Sequence, residues 1–212
     1  YWLRMPEYLE ENALGADLQT CINGASNGDL IVIDEGVYTE SITLDKAVGL
    51  YGLSDGATLV AVSGQRVLTV TGNMDSSTHI ENLTFTGGLA AGGAGGGIHL
   101  EPGATPLLQS VVISGNAAVL GGGLYAYHSI VANDLTVVNN SASTGGGIYV
   151  QDAITINGGS VQTNTSASSG GGVYAGALFS NTTHFDSVTL AGNTASSGAG
   201  GGAVLGNIVY MT

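Results

Sequence analysis

A repeated corner of asparagine and glycine limits what this 212-residue chain can fold into. Small polar residues, three consecutive glycines and an apolar alternation recur five times, as in "NNSASTGGGIYV" at residues 139–150. We mark each repeat by one equivalent position, which lies several residues before its glycine run. The marker residues are Gly88, Asn116, Asn140, Asn164 and Asn193, and successive markers are 28, 24, 24 and 29 residues apart. A period of this length is typical of a solenoid, in which each repeat stacks on the next.

Apolar residues occupy the same positions in successive repeats and predict several short strands per turn. Around the marker they alternate with Thr, Ser and Val, which is the period-2 pattern of a strand with one buried face. The clearest columns are Ile80, Leu108, Ala132, Ile156 and Phe185, then Phe85, Ile113, Val137, Val161 and Leu190, and after the glycines Ile98, Leu124, Ile148, Val173 and Ala203. Strands that stack in this register form parallel sheets, so the pattern predicts a β-helix.

The glycines and asparagines are interpreted as structural corners. Where the chain bends between strands it often takes a positive φ, which Gly adopts without steric cost and Asn tolerates best among the other residues. Stacked Asn side chains can hydrogen-bond to one another and to the turn backbone, which satisfies buried polar groups. The predicted corner residues are Asn116, Asn140, Asn164, Asn193, Gly97, Gly123, Gly147 and Gly172.

The N-terminal part reads as the beginning of the same solenoid. In "LGADLQTCINGAS", Leu14, Leu18, Cys21 and Ile22 have helical spacing, which predicts a helical cap over residues 14–26 with Cys21 as a small buried hydrophobe. Strands punctuated by glycine then predict the first coils over residues 29–75, followed by the Gly-rich repeats over 76–212. We expect a single domain over residues 14–212, preceded by a linker or interaction segment at residues 1–13.

Charge excludes some classes of partner. With 16 acidic and 3 basic residues, the formal net charge is −13, which makes nucleic acid and anionic membrane surfaces unfavourable partners. The chain has no 18-residue apolar run, so direct membrane insertion is not expected. The C-terminal residues 102–212 carry only three charged side chains, Asp134, Asp152 and Asp186. This low charge favours a protein that works in a homo- or hetero-assembly.

Residues 14–212 resemble a known family. The stretch "LQTCINGASNGDLIVIDEGVYTESITLDKAVGLYG" is similar to the N-terminal part of right-handed parallel β-helix proteins of the pectin-lyase-like superfamily. The Gly-rich repeats resemble those of polymorphic outer-membrane proteins and related bacterial surface proteins. This resemblance implies an all-β, right-handed parallel β-helix with an N-terminal α-helical cap. It leaves function open, because the superfamily includes polysaccharide lyases, hydrolases, esterases, adhesins and tail spikes.

No catalytic, metal or cofactor site is predicted from the residues. Lyases of acidic polysaccharides need basic groups, but the predicted coils contain only Lys46 and Arg66, and Arg66 is interpreted as a turn residue. Hydrolases need paired carboxylates, whereas the adjacent Asp34 and Glu35 would point to opposite faces of a strand. The four histidines are scattered without a nucleophile motif, and no Asp recurs once per repeat as a Ca²⁺ site would require.

One outward column is a candidate binding surface. His99, Tyr125, Tyr149 and Tyr174 directly follow the glycine corner, and alternation predicts that they point outward as an exposed aromatic ladder. Two interpretations stay open: the rings stabilise one another along the sheet, or they form a platform for a sugar or another protein.

Together these observations predict an extracellular or cell-surface scaffold with a structural or adhesive role. Its expected partners are protein subunits or surface glycans, and no cofactor is expected. The alternative is a carbohydrate-active β-helix enzyme, either a polysaccharide lyase or a glycoside hydrolase. A cluster of three or more carboxylates within about 6–10 Å would favour the enzyme.

Overall fold

The computed structural model describes residues 17–54, 56–176, 182–206 and 209–211, and it shows an all-β parallel β-helix with one short helix. The predicted segment 1–13 and the first three residues of the predicted cap lie outside the described residues. Every strand pair is parallel, as expected when equivalent segments of successive coils stack.

The N-terminal half contains the helix and the strands of the first coils. Their bounds are α1 (Leu18–Gly24), β1 (Leu30–Ile33), β2 (Gly36–Thr39), β3 (Ile42–Leu44), β4 (Gly49–Gly52), β5 (Ala57–Val60), β6 (Leu68–Val70), β7 (His79–Glu81), β8 (Leu83–Thr86), β9 (Leu89–Ala94) and β10 (Ile98–Leu100).

The Gly-rich repeats contain the remaining strands. Their bounds are β11 (Leu107–Gln109), β12 (Val112–Ser114), β13 (Ala117–Leu120), β14 (Leu124–Ala126), β15 (Ile130–Val138), β16 (Ser141–Thr144), β17 (Ile148–Val150), β18 (Ile154–Gln162), β19 (Thr165–Ser166), β20 (Val173–Ala175), β21 (Thr183–Asp186), β22 (Thr189–Ala191), β23 (Thr194–Ala195), β24 (Ala203–Leu205) and β25 (Val209–Met211).

These strands form three sheets that run along the solenoid. The first sheet has 13 strands, and its two halves are joined by the long strands β15 and β18. The second sheet has the order β3-β6-β10-β14-β17-β20-β24, and the third has the order β9-β13-β16-β19-β23. Among the described residues, the third sheet begins at β9, and no strand before β9 belongs to it.

The register confirms the predicted apolar columns. Ile113 pairs with Phe85 on one side and with Val137 on the other, and Leu124 pairs with Ile98 and Ile148. The columns continue into the first coils, where Leu59 pairs with Phe85. The side chains of these columns form one continuous buried core inside the three sheets, which is the main source of stability for such a fold.

The predicted cap is also confirmed, although its helix begins at Leu18. Leu18 and Ile22 are fully buried against the first coil, whereas Cys21 is only half-buried, because it lies at the edge of the buried helix face. The Asp17 side chain accepts a hydrogen bond from the backbone N–H of Thr20 at 2.7 Å, which is the usual N-cap bond.

Two side chains of the first coil hold the ends of α1. The Glu40 carboxylate accepts hydrogen bonds from the backbone N–H groups of Leu18 and Gln19 at 3.1 and 3.3 Å. At the other end, Lys46 Nζ donates to three carbonyls, at 3.2, 2.5 and 2.9 Å: those of Ile22, Asn23 and Ala25. A negative charge at the helix N-terminus and a positive charge at its C-terminus both complement the helix dipole.

Candidate functional site

The four corner asparagines form a continuous hydrogen-bonded ladder. In each step, the backbone N–H and the Nδ2 of one Asn donate to the Oδ1 of the next Asn, at 2.9 to 3.0 Å, from Asn116 through Asn140 and Asn164 to Asn193. Nδ2 also donates to a strand carbonyl of the preceding coil, such as Ile113 O at 2.9 Å from Asn140. Asn116, Asn140 and Asn164 are buried, so these bonds satisfy groups that water does not reach.

The three glycines of each corner have different structural roles. Gly145, the first of its run, has φ 63° and makes the bend. Gly146 and Gly147 do not have a positive φ. A Cβ on Gly146 would lie 2.3 Å from Thr165 O, and one on Gly147 would lie 2.7 Å from Gly172 O.

The predicted corner glycines Gly97, Gly123, Gly147 and Gly172 are each the third of their run. None of these third-position glycines has a positive φ. Glycine is required there because the next coil and the Asn ladder pack directly against the Cα. The nearest Asn atoms would lie 2.8 to 3.0 Å from a Cβ at these four positions.

The aromatic column forms a stack, but it is less exposed than predicted. Ring centroids are 4.9 Å apart for His99 and Tyr125, 5.6 Å for Tyr125 and Tyr149, and 4.9 Å for Tyr149 and Tyr174, with interplanar angles of 9° to 12°. Tyr125 is only 7% exposed, because rings cover both of its faces. Its hydroxyl also accepts a hydrogen bond from Gln151.

This geometry limits how the stack can bind a sugar. A saccharide stacks on an open ring face, but the faces of Tyr125 and Tyr149 are already covered by neighbouring rings. The column continues from His99 to Thr69, which has no ring, so the stack ends at His99. Burial, and to a smaller extent the neighbouring phenols Tyr174 and Tyr125, raise the pKa of Tyr149 above its ordinary value of 10.0.

A second outward column, on the first sheet, was not identified from the sequence. It runs through Glu81, Gln109, Asn133, Asn157 and Asp186, which are paired strand by strand. Gln109 Nε2 donates to Glu81 Oε1 at 3.1 Å, and Asn157 Nδ2 donates to Asn133 Oδ1 at 2.9 Å. The one sequence feature that could have revealed this column is a polar side chain at the same outward position of each repeat. It is a weak feature, because the residue type changes along the column.

The third sheet has an outer face without charged side chains. Its outward column is Leu89, Ala117, Ser141, Thr165 and Thr194. The residues two positions further along the chain are also exposed: Ala91, Val119, Ser143, Ala167 and Ser196. Leu89 and Val119 are 42% and 38% exposed and are the two large apolar side chains of this outer face. We call these ten residues the uncharged face. It is apolar at its N-terminal end and rich in hydroxyls towards its C-terminal end.

The carboxylates considered in the sequence do not converge. Asp34 is half-buried and Glu35 is exposed, in the connection between β1 and β2. Asp152 is buried and accepts a hydrogen bond from the Ser129 hydroxyl. Asp134 and Asp186 are exposed on β15 and β21. Within the described ranges, the side chains of His, Cys, Asp and Glu form no group of three or more that could hold a metal ion.

No described helix has the length and hydropathy to cross a membrane. A scan against protein-family models gives no match, and searches of the curated proteins and of the solved structures give none either. The assignment of a parallel β-helix therefore rests on the structure of this chain alone. The resemblance to pectin-lyase-like and polymorphic outer-membrane proteins stays a prediction.

Proposed function

We propose that the chain is an extracellular or cell-surface scaffold with a structural and adhesive role, acting within a larger assembly. The observation that carries this proposal is the pair of side-chain ladders that join the coils from Asn116 to Asn193 and from His99 to Tyr174. Within these ranges, each coil is joined to the next by backbone hydrogen bonds and also by side-chain amides, stacked rings or both. Such a solenoid resists bending and keeps its surface residues at fixed spacings.

The uncharged face is the proposed contact surface. A partner that approached the first sheet or the first coils would meet carboxylates, because most of the −13 charge lies there. A partner on the third sheet meets methyl and hydroxyl groups at a strand spacing of about 4.8 Å. Protein subunits and neutral surface glycans both fit this chemistry, because neither requires an opposing charge.

An adhesion measurement tests this function. Beads coated with the purified chain are mixed with identical beads and, separately, with beads that carry neutral glycans. Multivalent display makes weak contacts measurable through their avidity. The scaffold account expects clumping in at least one mixture, above that of beads coated with a globular protein of similar charge. Clumping no greater than that control in both mixtures would contradict it.

A carbohydrate-active enzyme is the second candidate, favoured by one observation. Asp134 and Asp186 occupy different columns, because Asp186 is level with Asn133, but they lie only two strands apart across β18, so their backbones are separated by about 10 Å. That spacing is near the range of paired glycosidase carboxylates. A general acid, however, needs a desolvated carboxyl group, and both of these side chains are exposed. We therefore expect no release of reducing ends or unsaturated products from uronate polymers, with or without Ca²⁺.

A further inference from the structure

A surface groove of about 370 Å³ lies where the third sheet begins. One wall is the turn at residues 63–65 with Arg66, and the other is the edge strand β9. This strand bulges, because Ala118 pairs with Ala90 while Leu120 pairs with Ala94, which leaves residues 91–93 without partners in β13. Such a bulge turns a sheet edge away from further strand pairing.

Arg66, which the sequence predicts to be a turn residue, instead follows the turn and lies half-buried along this groove. Its guanidinium lies against the bulge, since a Cβ on Gly93 would be 3.3 Å from Nη2. Within the part of the chain that the structure describes, no hydrogen bond or ion pair involves this guanidinium. Burial lowers the pKa of the Arg66 guanidinium. The negative charge of Glu101 has the opposite, smaller effect on this pKa.

A half-buried guanidinium without an acceptor is unfavourable, because its five N–H donors have lost part of their water. An oxyanion restores those bonds, and a planar carboxylate can take two of them in parallel. The other lining groups are the Gln65 amide, the Thr69 hydroxyl and the apolar side chains of Leu89 and Ala90. A ligand that fits all of them has one carboxylate, several hydroxyls and an apolar C–H face.

We propose that this groove binds the carboxylate of a single acidic saccharide unit, with Arg66 as the residue that pairs with it. Gln65 and Thr69 contact the hydroxyls, and the C–H face lies against Leu89. The groove volume is within the range of small-molecule sites. Glu101 is the carboxylate that a bound anion must compete with at Arg66. At physiological salt, charges beyond about 8 Å are largely screened, so the more distant carboxylates do not prevent binding. This proposal does not depend on the scaffold function.

The test is a titration of the ¹⁵N-labelled full chain at 0.15 M salt, followed by amide NMR. The probes are glucuronic acid and N-acetylneuraminic acid, with glucose, acetate and sulfate as comparison ligands. We expect saturable shifts for residues 64–66 and 89–93 with at least one acidic sugar, and binding at least tenfold weaker for glucose, acetate and sulfate. Arg66→Gln should weaken the acidic sugar at least tenfold.

Thr136→Glu is the matched control, because it lowers the net charge by the same one unit at an outward position of β15 in the first sheet, and Thr136 does not line the groove. It should bind as the unmodified chain does. If Arg66→Gln does not fold, Gly93→Ala supplies a second variant, since its methyl group crowds the guanidinium and should weaken binding while the charge is kept. Equal binding of acetate, sulfate and the sugars, unchanged binding in both variants, or shifts confined to other surfaces would each overturn the proposal.

Discussion

Asn140 accepts two hydrogen bonds from Asn116 on a single oxygen. The backbone N–H and the Nδ2 of Asn116 lie 2.9 and 3.0 Å from Asn140 Oδ1, and both residues are buried. Since the amide of Asn140 also donates to Asn164, each member of the ladder satisfies its neighbour on both sides. Loss of one member therefore leaves polar groups unpaired in two adjacent coils.

Replacing Asn140 with Ala should destabilise the fold strongly. A buried donor without a partner costs about 1–3 kcal/mol, and this change orphans two donors of Asn116, so we expect a loss of at least about 3 kcal/mol. Urea unfolding followed by circular dichroism measures it. The control is Asn139→Gly, an exposed neighbour with φ 57° that Gly adopts freely, and it should cost below about 1 kcal/mol. Equal losses would show that the ladder does not stabilise the corner.

The third glycine of a corner should not tolerate a methyl group where the next coil covers it. In Gly147→Ala the new Cβ would lie 2.7 Å from Gly172 O and 2.9 Å from Asn164 Cγ, so crowding should lower stability by about 1–3 kcal/mol. Gly202→Ala occupies the same place in the last described corner, where a Cβ would meet no described atom within 4 Å, and its melting temperature should stay unchanged or rise slightly. A similar decrease in both variants would refute this account of the corner.

The central ring of the aromatic stack should contribute more to stability than an unstacked outward ring. Tyr125→Thr removes two stacked pairs at once, each worth about 0.5–1.5 kcal/mol beyond its buried area, so we expect a loss of roughly 1–3 kcal/mol. Tyr51→Thr is the comparison, because Tyr51 stacks on no ring within the described residues, and it should cost less than half as much. If the two variants unfold at the same urea concentration, the stack is not stabilising.

Stability should depend on pH through His99. Burial, with a smaller effect of the Arg66 charge, lowers the pKa of His99 from its ordinary value of 6.5. The unfolded chain therefore takes up this proton before the folded one does, so stability falls as pH drops below about 6.5. Arg66→Gln should raise the pKa of His99 and reduce that loss, as measured by NMR titration of the ring and by urea midpoints. If the pKa of the His99 ring is the same in Arg66→Gln as in the unmodified chain, the proposed effect of the Arg66 charge on His99 is contradicted.

The architecture could be predicted from the sequence because a solenoid repeats its register. Once Asn140 and Asn164 are aligned as equivalent positions, alternation places Val137 and Val161 inside and Thr136 and Ser160 outside. The alternation also placed the aromatic column on one line. It could not show that Tyr125 is buried, because coverage by two neighbouring rings depends on side-chain orientation as well as on register.

Features that break the repeat could not be predicted. The groove at Arg66 lies beside the bulge of β9, which is the first described strand of the third sheet, and neither feature follows from the period. The three roles of Gly145, Gly146 and Gly147 depend on contacts with the next coil, which a single repeat does not contain. The polar column from Glu81 to Asp186 changes residue type at most steps, so it has no sequence signature of its own.

The most direct test of the scaffold account compares two variants of equal charge in the bead adhesion assay. Val119→Glu with Thr165→Glu places two carboxylates on the uncharged face, whereas Thr84→Glu with Thr136→Glu places two on outward positions of the first sheet. Both variants are first checked for an unchanged β-structure spectrum. The account predicts that adhesion is lost in the first variant and retained in the second. Equal adhesion of both variants and the unmodified chain would contradict it.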